Sequence, residues 1–313
     1  MKGLRTVLDW DGTLTKRDTL HVVAAIGYQR NRHRDLMPWD QIVQAYMSDY
    51  RRHRDAYHPA RPDRRTRAQE SAWLASLKDV ELRSVHRVQG AGIFADVTEQ
   101  EICRAAEDAV RNSEVQLRDG WEDIVSLARH SRDDGAAPSP VSIISVNWSA
   151  AFIRACLSSA LGDAAPAKGT IDAIPILANR LACEPSGGVP GPAGIRTSAD
   201  KLDALNALRD GGDCDVLYVG DSPTDFDCLV AADVGVCVRD DPMGSGQAEL
   251  KESLERVGVE VSRLDWDGWA EYQREVLRGQ RGQTKANIIR PVVWWVADLR
   301  EVAAFAEKYY HLD

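Results

Sequence analysis

No run of apolar residues in this chain approaches the roughly 18 that a membrane-spanning helix needs, so that class of protein is not expected. No C-x-x-C pair occurs among the six cysteines, which removes the usual zinc and dithiol signatures. Several of those cysteines sit in apolar runs, where the thiol behaves as a small hydrophobe, and a reduced, cytoplasmic setting fits them best. Basic charge is not in excess either: the formal net charge is -9, which disfavours attraction to a nucleic-acid backbone. No internal repeat is visible, and no apolar leader precedes the first candidate strand at residues 4–10, so secretion is not expected.

What the chain does have is alternation. Short apolar runs bounded by polar or glycine-rich turns, at residues 6–8, 141–145, 216–219 and 234–238, read as buried parallel strands. Helical periodicity separates most of them, at residues 121–130, 149–161, 198–209 and 224–232. This pattern predicts an α/β fold, a doubly wound parallel (Rossmann-like) sheet with helices on both faces. A chain of 313 residues has room for such a core and a sizeable insertion. From residue 16 to 115 no convincing strand occurs, while residues 21–29, 39–50, 68–76 and 99–111 carry apolar side chains at helical spacing. The predicted organisation is an α/β core of residues 1–15 and 116–313 with an inserted, mostly helical cap of residues 16–115.

Within the insertion, the arginine-rich segment 51–67 reads as a solvated connection, ahead of a role in gripping substrate phosphate. Residues 176–181 read as one arm of a hairpin, and residues 185–194 (PSGGVPGPAG) as a surface excursion. Towards the end come a helical segment at 247–256, a polar stretch around Trp266 and Trp269, an apolar run at 291–296 and an amphipathic helix at 298–310. The Trp294–Trp295 pair suits either core or a subunit contact.

Chemistry is suggested where strands end. Asp9 and Asp11 stand two residues apart as the first strand closes, so both carboxylates face one side while Trp10 faces packing. Gly12 then lets the backbone turn sharply, although Asp-Gly is also an ordinary turn signal. The carboxyl ends of parallel strands are where open α/β sheets bind ligands. A second pair, Asp221 and Asp225, follows the strand at 216–219 and precedes a helix. Asp225 also suits the positive end of that helix, a role that leaves Asp221 unexplained. Ser145 closes its own strand, and its hydroxyl with the amides of Val146 and Asn147 ahead of a helix makes a phosphate cradle. Lys201 lies in the first turn of a helix, where the macrodipole disfavours a cation, and this invites a functional explanation.

These four elements, in this order, resemble the motifs of the haloacid dehalogenase superfamily, and D-W-D-G-T and G-D-S-P-T-D carry the resemblance. It covers residues 4–15 and 117–240. The resemblance implies that Asp9 is a nucleophile forming an aspartyl-phosphate and that Asp11 is the general acid and base. It also implies a Mg²⁺ ion held by Asp9, the Asp11 carbonyl and Asp221, with Asp225 behind them, and a phosphoryl group held by Ser145 and Lys201. The dehalogenases of that superfamily lack the second aspartate, so Asp11 favours phosphoryl transfer. An insertion at 16–115 is where its phosphoserine-phosphatase-like members place a helical cap, which implies a small phosphorylated substrate. The segment after the first motif, with Asp18 and Thr19, lacks the glutamate those members use for the substrate ammonium, which disfavours phosphoserine. Asp18 and Thr19 suit either substrate contact or the start of a helix, and Trp148 either stacks on a substrate ring or packs beneath the cap.

The expected activity is a Mg²⁺-dependent phosphatase acting on a small phosphomonoester. Alternatives are a phosphomutase using the same pair of aspartates, an enzyme processing an isoprenoid diphosphate, which would need a large apolar cavity, and a non-catalytic metal- or phosphate-binding module.

Overall fold

The computed structural model describes residues 3–128, 140–162, 165–184, 194–209, 214–280 and 291–310. Most of the predicted excursion at 185–194 and the last two residues of the predicted 121–130 helix lie outside them. Strand β1 (Gly3–Leu8) pairs in parallel with β2 (Val141–Ile144) on one side and β4 (Cys214–Gly220) on the other. Adding β3 (Ile176–Leu177), β5 (Val234–Val238), β6 (Glu260–Arg263) and β7 (Val292–Val296) gives one seven-stranded sheet, order β3-β2-β1-β4-β5-β7-β6, with every pairing parallel. The fold is α/β and Rossmann-like. Strand order reverses beside β1, so the carboxyl ends of β1 and β4 open a crevice at the switch point.

Residues of β1 alternate between two cores. Leu4 and Leu8 pack with α5 (Glu99–Arg111), α6 (Trp121–Leu127), α7 (Ala150–Leu161) and α13 (Leu299–Tyr310), whereas Val7 joins α9 (Ser198–Arg209), α10 (Phe226–Ala231) and α11 (Ser245–Arg256) on the other face. Such two-sided burial explains why these strands read as continuous apolar runs; each fully buried aliphatic side chain contributes about 1.5–3 kcal/mol. The segment expected as a hairpin arm at 176–181 instead begins with the short edge strand β3, parallel to β2. Trp266 and Trp269 belong to a helix, α12 (Trp266–Gln280), and pack on Phe305 of α13. Trp294 is core, while Trp295 lies under Arg239 and Arg263.

Between β1 and α6 the described chain contributes five α-helices and no named strand: α1 (Leu20–Arg30), α2 (Trp39–Ala56), α3 (Arg67–Ser76), α4 (Lys78–Gly90) and α5. Its two ends meet at a bridge between Thr15 and Leu117, where Lys16 N–H donates to Gln116 and Arg118 N–H to Leu14. Another attachment lies far from that neck. Trp73 of α3 is buried on the α9 side of the sheet, ringed by Tyr50, His53 and Tyr57, with Arg64 over its face at 4.7 Å. The 51–67 run is therefore not simply solvated: Arg64 is 4% exposed and pairs with Glu70 at 2.8 Å, which also binds Arg256 of α11 at 2.9 Å. No described helix is long and apolar enough to cross a membrane.

Candidate active site

Backbone geometry places the first two carboxylates. Asp9 N–H still donates to Val219 O at 2.9 Å, so Asp9 continues the sheet edge, and the loop Trp10–Leu14 turns away after it. The turn needs glycine: Gly12 has φ of 76°, and a Cβ there would lie 2.3 Å from Asp221 Oδ2. That close approach is also what sets Asp221 beside the loop, where it accepts from Thr13 Oγ1 at 3.2 Å. Arg118, 4% exposed, donates to the carbonyls of Gly12 and Thr13 and holds the loop from beneath.

Lys201 is fully buried and bridges two of the carboxylates. Its Nζ lies 2.8 Å from Asp9 Oδ1 and 2.8 Å from Asp225 Oδ1. Burial alone would lower the ammonium's pKa; Asp225 and Asp9 outweigh it, raise it and keep the group charged. The unfavourable helix-start position is offset locally by Asp200, whose carboxylate accepts from the Thr197 N–H and hydroxyl. Asp225 is saturated. One oxygen takes Lys201 and the Tyr218 hydroxyl at 2.7 Å, the other the amides of Asp221 and Ser222, each at 3.1 Å. A Cβ on Gly220 would lie 2.4 Å from Asp225 Cγ, so that side chain depends on a glycine too.

Asp9, Asp221 and Asp225 offer oxygens within 4.8 Å of one another against the single ammonium of Lys201. Burial and then the neighbouring Asp225 push the Asp9 carboxyl well up, and the same causes push Asp221 to about 7. Such a donor set, all oxygen and carrying more negative than positive charge, fits a hard divalent cation such as Mg²⁺. Because Asp225 spends its oxygens on Lys201, Tyr218 and two amides, the carboxylates left for a metal are Asp9 and Asp221.

Asp11 sits apart from that cluster, held by the start of α1 and by the loop after β2. Thr19 gives Asp11 Oδ1 its N–H at 2.7 Å and its hydroxyl at 2.6 Å, and Asn147 Nδ2 donates to Oδ2 at 3.0 Å. Trp10 Nε1 in turn donates to Thr19 Oγ1 at 3.1 Å, so the residue between the two aspartates fixes the second of them from below. Burial, then the charge of Asp18, push Asp11 up to about 6 against those hydrogen bonds. A carboxyl with such a pKa can give up or take a proton near neutrality.

The remaining predicted residues divide. Ser145 is buried at the end of β2 and its Oγ accepts from Asn147 N–H at 3.0 Å, which leaves its own O–H as a donor. Val146 and Asp18 line a cavity above Asp11. Thr19 is 2% exposed and directed to Asp11, and Asp18 accepts from the Leu20 amide at the start of α1. Tyr218 and Arg118 escaped the sequence reading, and Thr13, though it closes D-W-D-G-T, has no role in it. Tyr218 looks like one more apolar strand residue in C-D-V-L-Y-V-G, and Arg118 like any surface basic residue before a turn. Only the fold brings them to the aspartates.

No family model matches the chain. Cold tolerance protein 1 of Saccharomyces cerevisiae is 22% identical over 289 residues, covering 83% of this chain and 87% of that protein. A CTO1 family protein of Schizosaccharomyces pombe is 23% identical over 245 residues, 74% of this chain and 81% of that protein. Among solved structures, a protein of unknown function from Bordetella pertussis aligns over 82% of this chain and 97% of its own, at 15% identity and a TM-score of 0.43. Phosphoserine phosphatase in its apo form aligns over 80% of this chain and 91% of its own, at 14% identity and a TM-score of 0.41. At such identities and scores, it is the parallel sheet and the buried aspartates of this chain itself that carry the functional reading.

Proposed function

We propose that this chain is a Mg²⁺-dependent phosphatase of the haloacid dehalogenase type, hydrolysing a small phosphomonoester through an aspartyl-phosphate on Asp9. The observation that carries the reading is the fully buried Lys201 bridging Asp9 and Asp225 at 2.8 Å, with Asp11 held separately nearby. A binding module would need neither a charged lysine against Asp9 nor an acid tuned to about 6. The core would comprise residues 1–15 and 116–313 and the cap residues 16–115; the Thr15–Leu117 bridge marks the two ends of that insertion, although α1 and α5 are buried with β1 and α7.

In the proposed reaction an Asp9 oxygen attacks phosphorus, the bond from phosphorus to the alcohol oxygen breaks, and Asp11 gives its proton to that oxygen. Asp11, now a carboxylate, takes a proton from water, whose oxygen attacks the same phosphorus and releases phosphate, restoring Asp9. Lys201 and the Ser145 hydroxyl would hold the phosphoryl oxygens and offset charge that a carboxylate and a phosphate would otherwise oppose. A Mg²⁺ ion held by the carboxylates of Asp9 and Asp221 and the Asp11 carbonyl would add positive charge at those oxygens. Asp225 acts through Lys201.

The test is phosphate release from a phosphomonoester panel with Mg²⁺ present. Wild type should release phosphate, a chelator should stop it, and Asp9→Asn should show none. Equal release by Asp9→Asn would reject Asp9 as nucleophile. Phosphorylation by a bisphosphate with little net phosphate would mark a mutase instead.

A further inference from the structure

The cavity above Asp11 has a volume of about 500 Å³, in the range of pockets that enclose a drug-sized ligand. Its walls are mainly apolar. Helix α2 lends it Trp39, Val43 and Met47, four residues apart and so one above the other, and α4 lends Val85 and Val88. At its inner side Trp148 meets Trp39 edge to face at 6.0 Å and Phe94 at 5.7 Å, which fixes these rings in the wall. Val43 and Met47 are 41% and 43% exposed, so the apolar stripe runs out to solvent at the cavity's mouth.

Polar groups line it as well, Ser84 and Gln89 beside Glu81 on α4, and Asn179, Arg180 and Arg196 from the core. Glu81 accepts from the Tyr46 hydroxyl at 2.7 Å, and the charge of Arg196 acts on it. Arg180 acts on Glu184, and Asp18 takes the Leu20 amide. An apolar alcohol body gains by burying surface against the stripe of Trp39, Val43, Met47, Val85 and Val88 in the mainly apolar wall.

We propose, resting on the phosphatase reading above, that this cavity selects the phosphate monoester of an apolar, ring-bearing alcohol. The phosphoryl group lies at Asp9, the bridging oxygen at Asp11, and the alcohol's body between α2, α4 and Trp148.

Three esters of primary alcohols separate body from leaving-group chemistry: 2-(1-naphthyl)ethyl phosphate, ethyl phosphate and O-phospho-L-serine, assayed on the full chain with Mg²⁺. The naphthyl ester is expected to show kcat/KM on the order of 100-fold above ethyl phosphate, since each buried methylene alone is worth roughly 10-fold or more. Val43→Glu or Met47→Glu, at positions exposed enough to leave folding intact, should shrink that ratio about tenfold. Calorimetry with 2-(1-naphthyl)ethanol adds a readout that needs no turnover: wild type binds, Val43→Glu binds more weakly. Higher kcat/KM for ethyl phosphate or phosphoserine, or a ratio untouched by both variants, overturns the cavity proposal and leaves the phosphatase standing. No phosphate from any ester, with the alcohol still bound, overturns the phosphatase and keeps the cavity's preference.

Discussion

The separate roles proposed for Asp9 and Asp11 rest on what each is bonded to. Asp9 faces Lys201 and the other buried carboxylates, whereas Asp11 faces Thr19 and Asn147. Asp11→Asn should therefore keep metal binding but turn over an alkyl ester at least ~100-fold more slowly, the usual scale of acid–base catalysis. Thr19→Val removes the hydroxyl that Trp10 and Asn147 also use, and should lower kcat by about tenfold with KM little changed; a change in KM alone would make Thr19 a substrate contact instead. Gly12→Ala would force a Cβ into Asp221 at a positive φ, so Mg²⁺-dependent activity should fall while the far-UV spectrum stays native. Residue-scale chemistry was partly legible in the sequence. D-W-D-G-T shows its carboxylates because a strand end and a turn coincide there. The partner of Thr13 and the role of Tyr218 could not be read, because Thr13 meets Asp221 across 208 positions and a strand tyrosine carries no mark of a buried acceptor.

At the scale of elements, α1 and α5 of the insertion share the core cluster of β1 and α7, and further ties join the insertion to the core. One is the neck at Thr15 and Leu117; another is α3, where Glu70 accepts from both Arg64 and Arg256 in a buried site. Ser71 bonds Asp227, and Lys78 binds Asp200 at 2.7 Å, one residue before Lys201. Glu70→Ala would leave two buried guanidinium groups without their shared carboxylate, and the cost should be about 3–5 kcal/mol in urea unfolding. A loss below ~1 kcal/mol would mean the network is solvated when the protein moves. Elements missed in the sequence share one cause. Edge strand β6 reads Glu-Val-Ser-Arg, and α4 buries little beyond Val80 and Val88, so neither carries the apolar density that marked β2 or β5.

For the whole molecule, the parallel sheet was legible because its central strands are covered on both faces and so have to be apolar. The attachment of α3 to the α9 face was not, since a run of arginines looks alike whether solvated or paired. Folding also concentrates three carboxylates around one lysine, which makes the native state the form that a dication would bind. Mg²⁺ at a hundred times its dissociation constant should stabilise the protein by ~2.7 kcal/mol, a rise in Tm of about 4 °C. Asp221→Asn should lose most of that rise, and an equal rise in both proteins would place the metal elsewhere.

The most direct measurement is to find the phosphoryl group. Asp11→Asn given an aryl phosphate, whose leaving group needs no proton, should transfer phosphoryl to the enzyme and then stall for want of a base. Acid quench and peptide mass spectrometry should locate one phosphoryl group on Asp9, absent when Asp9→Asn is added. Phosphate release from wild type with no phosphoryl group on Asp9 in the stalled variant, or with one on another residue, would contradict the account.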